Sequence, residues 1–416
     1  MRAALATAVL ALLAAGCAAP ASPSEPVALR VVMADDWATA PAVADVVAGF
    51  EHDHPEVRVE LEGAPFSRIP ELVTEAIDLD QPPDLAHWHA FAAAAAGLAE
   101  PLDEQWDANG LTEREYLAGA VDGVLWEGRR FGLPLDVNAL VLLVNRPLLE
   151  EAGAGPAQLA TVDGFRAAAR QVVREGAADH AVPVSASSWV AYGWIVAHGG
   201  ELVVVEPGTG KPRFTFDHPA TVEAVALLAE LVEEGLAPPP FAPDLAMDAV
   251  QSFAHGRVAM HTTGSWDLPI TRRFASGGVD VDDDVAVLPL PQRDPARPRT
   301  VLGGSSLFVP RGAAHAELAV ELALRLTEDE VALRLATEEG RLPARAHLYD
   351  ADLFRSSPQV AAFVDQLPHA EVMPLIAWPP VAEGFREALE AVLSGRRPAD
   401  VALSELQRFA EEVAGS

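Results

Sequence analysis

The sequence predicts an α/β protein in which sheets of mostly parallel strands are covered by helices. Three observations support this fold class. Short apolar or β-branched runs alternate with segments whose apolar residues recur at helical spacing. The chain also leaves a body of about 390 residues after its N-terminal apolar segment, which is enough for two or three average domains. Beyond that segment, no apolar stretch is long enough to cross a bilayer.

The first third of the chain sets the pattern. Residues 29–33 are mostly β-branched or apolar and predict a strand, which the polar pair Asp35 and Asp36 interrupts. By the same criteria we predict helices at 41–51, 67–79 and 91–97, and strands at 57–61 and 83–88.

The middle of the chain repeats this alternation. Residues 137–145 form one uninterrupted apolar run, which predicts a single buried strand. Thr161 is a suitable N-cap for the helix that follows it. We predict helices at 161–175, 221–234 and 248–256, and strands at 181–185, 257–262, 285–288 and 301–309. From Ala314 onward the pattern is chiefly helical.

The N-terminus has the layout of a bacterial lipoprotein leader. An apolar run over 3–15 follows Arg2, is too short to span a bilayer, and ends at Gly16 and Cys17. The small residues before Cys17 are typical of a lipobox, although Ala14 replaces the usual leucine; an ordinary cleaved signal is the alternative. We therefore predict a signal peptide over 1–16, a lipidated Cys17 and a tether over 17–26. The mature protein would be extracytoplasmic, anchored to the outer face of the cell membrane.

Composition argues against a nucleic-acid partner and against an internal disulfide. The chain has 29 basic and 61 acidic residues, hence a net charge of −32, which disfavours nucleic acid. Cys17 is the only cysteine, so no disulfide can form within one chain.

Metal and catalytic motifs are also missing from the sequence. The pairs His52/His54 and His87/His89 have the spacing of zinc ligands on a strand, but no thiol or clear third ligand stands nearby. We interpret most of these histidines as surface residues. The sequence has no phosphate-binding loop, dinucleotide fingerprint or nucleophile elbow. We therefore expect no catalytic residues, no metal site and no cofactor.

Tryptophan is the most informative residue type. Aromatic residues make up 6% of the chain, yet 8 are tryptophan. A flat indole can stack on the C–H face of a sugar, while carboxylates and amides bind the hydroxyls at its rim. Packing in the core is the alternative for any one of them. The tryptophans at predicted strand ends or in loops are Trp37, Trp88, Trp189, Trp266 and Trp378.

Polar residues near these positions complete the candidate site. They are Asp35, Asp36, Asp136, Asn138 and Ser305, the last with Ser306 just after two glycines. Helix capping is the alternative for the first two, and turn hydrogen bonding for Asp136 and Asn138. Arg341 and Arg345 either line the site or brace it.

Several fragments occur along the chain in a fixed order. They are HPEVRVEL, PPDLAHW, GLAEPLDE, FGLPLDVNALVLLVNRPLLEEAG, HGRVAMHTTGSWDLP, GGSSLFVP and EEGRLPARAHLY. Together they resemble the family 1 extracellular solute-binding proteins, the group similar to maltose-binding protein. The resemblance extends over nearly the whole mature chain.

This resemblance implies a two-lobed, periplasmic-binding-protein-like fold. Each lobe would be a mostly parallel sheet flanked by helices, and a multi-strand hinge would let the lobes close on a ligand. By analogy, lobe 1 comprises 27–137 plus 262–328, and lobe 2 comprises 138–261 plus 329–416. Asp136 and Asn138 would lie at the hinge and Trp266 against the ligand, whereas Trp106 and Trp126 match segments used for packing. Trp194 could serve either purpose.

The implied function is that of a monomeric substrate-binding lipoprotein of an ABC importer. It would capture a small carbohydrate, a mono- or oligosaccharide, and deliver it to the permease subunits. Two alternatives stay open. The same fold could bind a polyamine, betaine or other cationic solute, because a cavity rich in tryptophan and aspartate also suits cation–π capture. A secreted carbohydrate-active enzyme is the other.

Overall fold

The computed structural model describes residues 26–205, 211–240, 249–275, 279–374 and 378–415. The predicted signal peptide, Cys17 and the tether up to residue 25 lie outside these ranges. Of the helices within them, none combines the length and the apolar character needed to cross a membrane.

The strands are numbered along the chain. They are β1 (Val27–Ala34), β2 (Val57–Ala64), β3 (Leu85–Trp88), β4 (Leu125–Trp126), β5 (Arg129–Arg130), β6 (Leu133–Ala139), β7 (Val141–Asn145), β8 (Val203–Val205), β9 (Pro212–Phe214), β10 (Met260–Thr263), β11 (Val285–Leu288), β12 (Thr300–Phe308), β13 (Leu342–Pro343) and β14 (Ala370–Val372).

The helices are numbered in the same way. They are α1 (Asp35–Ala38), α2 (Pro41–Asp53), α3 (Ile69–Asp78), α4 (Ala90–Ala95), α5 (Asp103–Ala108), α6 (Ala118–Asp122), α7 (Arg146–Glu151), α8 (Val162–Glu175), α9 (Ser188–Ala197), α10 (Pro219–Glu233), α11 (Ala249–Ala254), α12 (Asp267–Phe274), α13 (Val281–Asp284), α14 (Ala316–Leu326), α15 (Asp329–Glu339), α16 (Leu353–Ser356), α17 (Pro358–Val364), α18 (Pro379–Leu393) and α19 (Ala399–Gly415).

Two sheets organise the molecule. The larger has the order β13-β6-β12-β3-β1-β2, with β14 also paired to β12. In it β1 runs parallel to β2 and β3, because helices connect these strands as crossovers. β12 runs parallel to β14 but antiparallel to β3 and β6. The α/β class predicted from the alternation of strands and helices is confirmed.

The second sheet differs from the expectation of a mostly parallel sheet in each lobe. Its order is β10-β7-β11, and β7 is antiparallel to both neighbours. The buried strands read as apolar runs in either case, so the sequence pattern shows their burial but not their direction.

The predicted strand at 137–145 proves to be two strands in different sheets. β6 belongs to the larger sheet and β7 to the second, and Leu140 lies between them. Its N–H donates to the Val301 carbonyl at 3.2 Å, and its carbonyl accepts from Thr300 Oγ1 at 2.6 Å. All these residues are buried, so the apolar run continues through the crossing without a break.

The predicted strand at 181–185 is absent from this part of the structure, and that prediction is wrong. Ala181 instead makes isolated hydrogen bonds: its N–H donates to Leu236 at 2.7 Å, and its carbonyl accepts from Met260 at 2.9 Å. The side chains of 181, 182 and 184 are buried, which explains the strand-like composition.

Buried side chains form two hydrophobic cores. The first core contains Leu29, Phe50, Trp106 and Phe308 and packs around the larger sheet. The second core contains residues such as Phe165, Trp194, Phe216 and Phe385.

The two cores do not follow the expected lobe division throughout. Residues from Val331 to Phe363 contribute to the first core, although the resemblance assigned 329–416 to lobe 2. Val301 packs in the second core, although it was assigned to lobe 1. The physical reason for the first difference is that α15 packs against α2, where Arg334 pairs with Asp45 at 2.9 Å.

Candidate functional site

A cavity of about 720 Å³ lies where residues of both cores meet. It is bounded by the ends of β1 and β3, the middle of β6 and β12, and the start of α9. The structure brings most of the predicted site residues to this one place. The predicted residues that line the cavity are Asp36, Trp37, Trp88, Asp136, Asn138, Trp189, Trp266 and Ser305.

Two predicted site residues do not line the cavity, and their expected placement is corrected. Trp378 directly precedes α18 and packs against the second core, with its ring 5.5 Å from that of Phe214. Asp35 lies in the first turn of α1, where its carbonyl accepts from Thr39 Oγ1 at 2.8 Å. Both were chosen for following a predicted strand or loop, and that position alone does not fix the direction of a side chain.

Asp136 is the buried carboxylate of the site. Its Oδ1 accepts hydrogen bonds from the Ser305 backbone N–H at 2.7 Å and from Ser305 Oγ at 2.6 Å. The pairing of β12 with β6 is irregular between Ser305 and Ser306, which brings Ser305 onto the carboxylate. Burial raises the pKa of Asp136 above its usual value, although Arg341 and Ser305 act in the opposite direction.

Gly303 and Gly304 let β12 approach β6 closely. A Cβ on Gly303 would stand 2.1 Å from Asn138 Oδ1, and one on Gly304 would stand 2.5 Å from the Asp136 carbonyl. Gly304 also has a φ of +147°. Gly303 thus leaves room for the Asn138 side chain, and Gly304 leaves room for the backbone of Asp136. Asn138 Oδ1 is buried and has no hydrogen-bond partner among the described residues.

Trp189 and Trp266 form one aromatic wall. Their ring centroids are 5.9 Å apart at an interplanar angle of 43°, and both side chains are partly exposed. Trp189 Nε1 donates to the Leu302 carbonyl at 3.2 Å, which fixes its orientation. Trp266 lies over Gly264, where a Cβ would stand 2.0 Å from the indole.

The remaining tryptophans lie outside the cavity lining. Trp106 is fully buried, and its Nε1 donates to the Gly132 carbonyl at 3.0 Å. Trp194 is buried within α9 and packs in the second core. Trp126 is half-buried in the short strand β4.

Sequence reasoning missed two histidines at the end of β3. His87 and His89 line the cavity, so their interpretation as surface residues is wrong. His87 Nδ1 accepts from the Ala34 N–H at 3.3 Å. Burial lowers the pKa of His87 well below its usual value and that of His89 to about 4, so both imidazoles are neutral at pH 7. They flank Trp88, and the strand-end argument that selected Trp88 could have selected them.

Another cavity residue, Phe66, was missed because its neighbours in space are distant in sequence. Phe66 lies with its ring 5.4 Å from that of His87 and 5.1 Å from that of His89. Arg341 lines the cavity, whereas Arg345 braces the fold through the Thr327 carbonyl at 3.2 Å.

This arrangement suits binding of a polar organic molecule with apolar faces. Aromatic rings offer flat surfaces, and Asp136, Asn138, Ser305 and Arg341 offer polar groups around them. The described part of the chain has no cluster of three or more histidine, cysteine, aspartate or glutamate residues able to hold a metal ion.

Known proteins share this architecture. The maltotriose-binding protein of Pyrococcus abyssi is 23% identical over 369 residues, which covers 86% of this chain and 76% of that protein. The GacH receptor of Streptomyces glaucescens, solved unliganded and with acarbose, aligns with a TM-score of 0.81 at 22% identity, covering 94% of this chain and 99% of its own. UgpB of Mycobacterium tuberculosis, solved with glycerophosphocholine, aligns with a TM-score of 0.78 at 18% identity, covering 94% and 98%.

These likenesses confirm the two-domain α/β fold implied by the resemblance. The model of a protein family described as bacterial extracellular solute-binding protein matches residues 45–362. That match includes residues of both cores and the strands β3, β6 and β12, which bound the cavity. The chain therefore belongs to the bacterial extracellular solute-binding protein family.

Proposed function

We propose that this protein is the substrate-binding lipoprotein of an ABC importer. It captures a small carbohydrate in the cavity and delivers it to the permease subunits as a monomer. The observation that carries the proposal is the cavity itself, where partly exposed tryptophans stand beside a buried carboxylate and amide. In this proposal the lobes are built around the two cores, and β6, β7 and β12 belong to the hinge.

The chemistry of the walls favours a sugar over other solutes. A pyranose has C–H faces that stack on the indoles of Trp189 and Trp266, and hydroxyls that donate to Asp136 and Asn138. The related maltotriose-binding protein of Pyrococcus abyssi and the acarbose-bound GacH receptor support a saccharide ligand.

A cationic solute is the second candidate, because the cavity is aromatic and contains carboxylates. The carboxylates are already engaged, however. Asp36 forms an ion pair with Arg341, and Asp136 accepts both hydrogen bonds of Ser305. A quaternary ammonium would also meet the fixed guanidinium of Arg341, and it cannot donate a hydrogen bond to Asp136 as a sugar hydroxyl can, which makes the carbohydrate the better candidate.

A thermal-shift screen tests the ligand class. The panel holds maltose, maltotriose, arabino-oligosaccharides, glycerophosphocholine, spermidine and glycine betaine. A ligand present at about 100 times its Kd stabilises the folded protein by about 2.7 kcal/mol, which raises Tm measurably. A rise with a saccharide supports the proposal, and a rise only with spermidine or betaine refutes it. Product analysis of the same incubations separates a binder from an enzyme, because we expect no turnover.

The lipid anchor is tested separately. Cys17 is the proposed site of acylation, so Cys17→Ser should shift the protein from the membrane fraction to the medium or leave it unprocessed. Metabolic labelling with a fatty-acid analogue gives the direct readout. A processed Cys17→Ser variant that still fractionates with the membrane would show that the anchor is not this cysteine.

A further inference from the structure

Arg341 is held rigidly at the wall of the cavity. It follows Gly340, whose φ is +66° and whose Cβ, if present, would stand 2.6 Å from the Ser265 carbonyl. The Arg341 N–H donates to the Leu335 carbonyl at 3.1 Å. β13 begins at the next residue and pairs with β6 beside Asp136. The backbone from which the guanidinium extends is therefore fixed on both sides.

Trp37 supports this guanidinium. The Arg341 Cζ lies 5.3 Å from the centroid of the Trp37 ring, close enough for cation–π attraction. The His87 ring approaches Trp37 at 5.0 Å in an edge-to-face arrangement, and only 4% of Trp37 is exposed. So little exposed surface cannot stack on a sugar ring. Trp37 was expected to contact ligand; its geometry instead makes it the platform of Arg341.

The Arg341 guanidinium has more hydrogen-bond donors than it uses within the protein. It carries five N–H groups, and within the described ranges its hydrogen-bond partner is Asp36 alone. The Arg341 side chain is 13% exposed and lines the cavity. Its remaining donors are therefore available to oxygen atoms of a ligand, with the planar geometry that suits two neighbouring oxygens.

Among the described residues, Arg341 is the one arginine or lysine that lines the cavity, and its charge is paired with Asp36. Asp136 is held by the neutral donors of Ser305. The imidazoles of His87 and His89 add no charge at pH 7, because burial lowers their pKa values. A permanently cationic group entering the cavity would thus meet a fixed guanidinium.

We propose that Arg341 is the specificity-determining residue of this cavity: it donates hydrogen bonds to ligand oxygens and keeps cationic solutes out. This inference rests on the proposed function, since it assumes that the cavity is the ligand site. It selects oxygen-rich, uncharged or anionic ligands over amines.

Binding measurements test whether Arg341 binds ligand oxygens and excludes cationic solutes. Wild type, Arg341→Gln, Arg341→Lys and the control Arg334→Gln are titrated with maltotriose and with spermidine. Arg334 pairs with Glu338 and, across the contact between α15 and α2, with Asp45, and it does not line the cavity, so its replacement changes the same charge elsewhere. We expect Arg341→Gln to weaken maltotriose binding by about tenfold to a hundredfold, and Arg334→Gln to leave it unchanged. Equal affinities for the two glutamine variants, or binding of spermidine by the wild type that maltotriose displaces, overturn the inference.

A second experiment needs no ligand. Caesium and iodide ions quench exposed indoles according to the local charge, and Trp88, Trp189 and Trp266 are partly exposed in the cavity. With sodium chloride screening distant charges, Arg341→Gln should lose iodide quenching and gain caesium quenching. Arg341→Lys and Arg334→Gln should behave as the wild type.

The two experiments can refute the proposed function and the inference about Arg341 independently of each other. If no saccharide binds the wild type, the proposed function is refuted, while the quenching still decides whether Arg341 sets the charge of the cavity. If Arg341→Gln quenches like Arg334→Gln, the inference about Arg341 is refuted whatever ligand the protein binds.

Discussion

The indole of Trp266 is the side chain whose removal best separates binding from packing. It is partly exposed, rests on Gly264 and faces Trp189. We expect Trp266→Ala to weaken ligand binding by about 1–3 kcal/mol, or roughly tenfold to a hundredfold, because a stacking surface is lost. Tm of the unliganded protein should change little. Isothermal titration and differential scanning calorimetry of the same variant give both values.

Trp106 provides the matched control, since it is fully buried and distant from the cavity lining. Truncating it to alanine should cost about 3–5 kcal/mol of stability while leaving the affinity of the folded fraction unchanged. If Trp266→Ala behaves like Trp106→Ala, then Trp266 serves packing and its place in the ligand site is refuted.

Because the pKa of Asp136 is raised, we expect stability and ligand affinity to change with pH in opposite directions. Its pKa is raised in the folded protein, so between the ordinary value of 3.8 and the raised value the folded state holds more protons than the unfolded state. Stability from this group therefore falls as pH rises through that window. Affinity should rise over the same window, because the carboxylate accepts a ligand hydroxyl best when charged. Titrations across pH with the wild type and with Asp136→Asn, which should lose both trends, check this. Affinity independent of pH in the wild type would contradict it.

Single residues show what sequence alone can say about a site. Trp88 was found because it ends a strand, and strand ends meet at one edge of a sheet. Trp189 was chosen for following the predicted strand at 181–185, which the structure lacks, yet it lines the cavity from the start of α9. Trp378 fails the same rule because it caps α18 and packs on Phe214. His87 was missed because its burial depends on Trp37 and Phe66, which are distant in sequence.

At the scale of elements, α12 is fastened to β10 by one buried carboxylate. Asp267 Oδ2 accepts from Thr263 Oγ1 at 2.5 Å and lies 2.8 Å from His261 Nε2. Asp267→Ala would leave both groups buried without a partner, and we expect a loss of about 2–4 kcal/mol in the free energy of unfolding. Because Asp267 follows Trp266, ligand affinity should fall as well. Urea unfolding and calorimetric titration measure the two effects.

Asp282 is the control for this carboxylate. It lies on the short helix α13 with a 72% exposed side chain and pairs with Arg272 at 2.7 Å. Exposed ion pairs contribute little, so Asp282→Ala should cost less than about 1 kcal/mol. Equal losses for the two variants would show that the Asp267 cluster does not fasten α12.

Elements were predictable where local pattern determines them. α8 begins after Thr161, whose hydroxyl accepts from the Gly164 N–H at 3.1 Å, as its capping role predicts. The division of 137–145 into β6 and β7 was not predictable, because Leu140 turns the chain through bonds to Thr300 and Val301, far along the sequence.

At the scale of the whole molecule, the order of the sequence fragments along the chain predicted the fold better than any single motif did. The order implied the two-domain fold, which the structural likenesses confirm. It did not place 331–363 in the first core, because that packing depends on contacts between α15 and α2 rather than on the fragments. The chain crosses between the two cores more than once.

We expect the two cores to close on a bound ligand. Residues of both cores line the cavity, so a ligand in contact with both sides binds the closed arrangement better and shifts the population toward it. Small-angle X-ray scattering should therefore show a smaller radius of gyration with whichever compound raises Tm. Trp266→Ala, measured at a concentration that leaves it unoccupied, should keep the unliganded value. An unchanged radius in a wild-type protein that calorimetry shows to be saturated would mean that the cavity binds without closing.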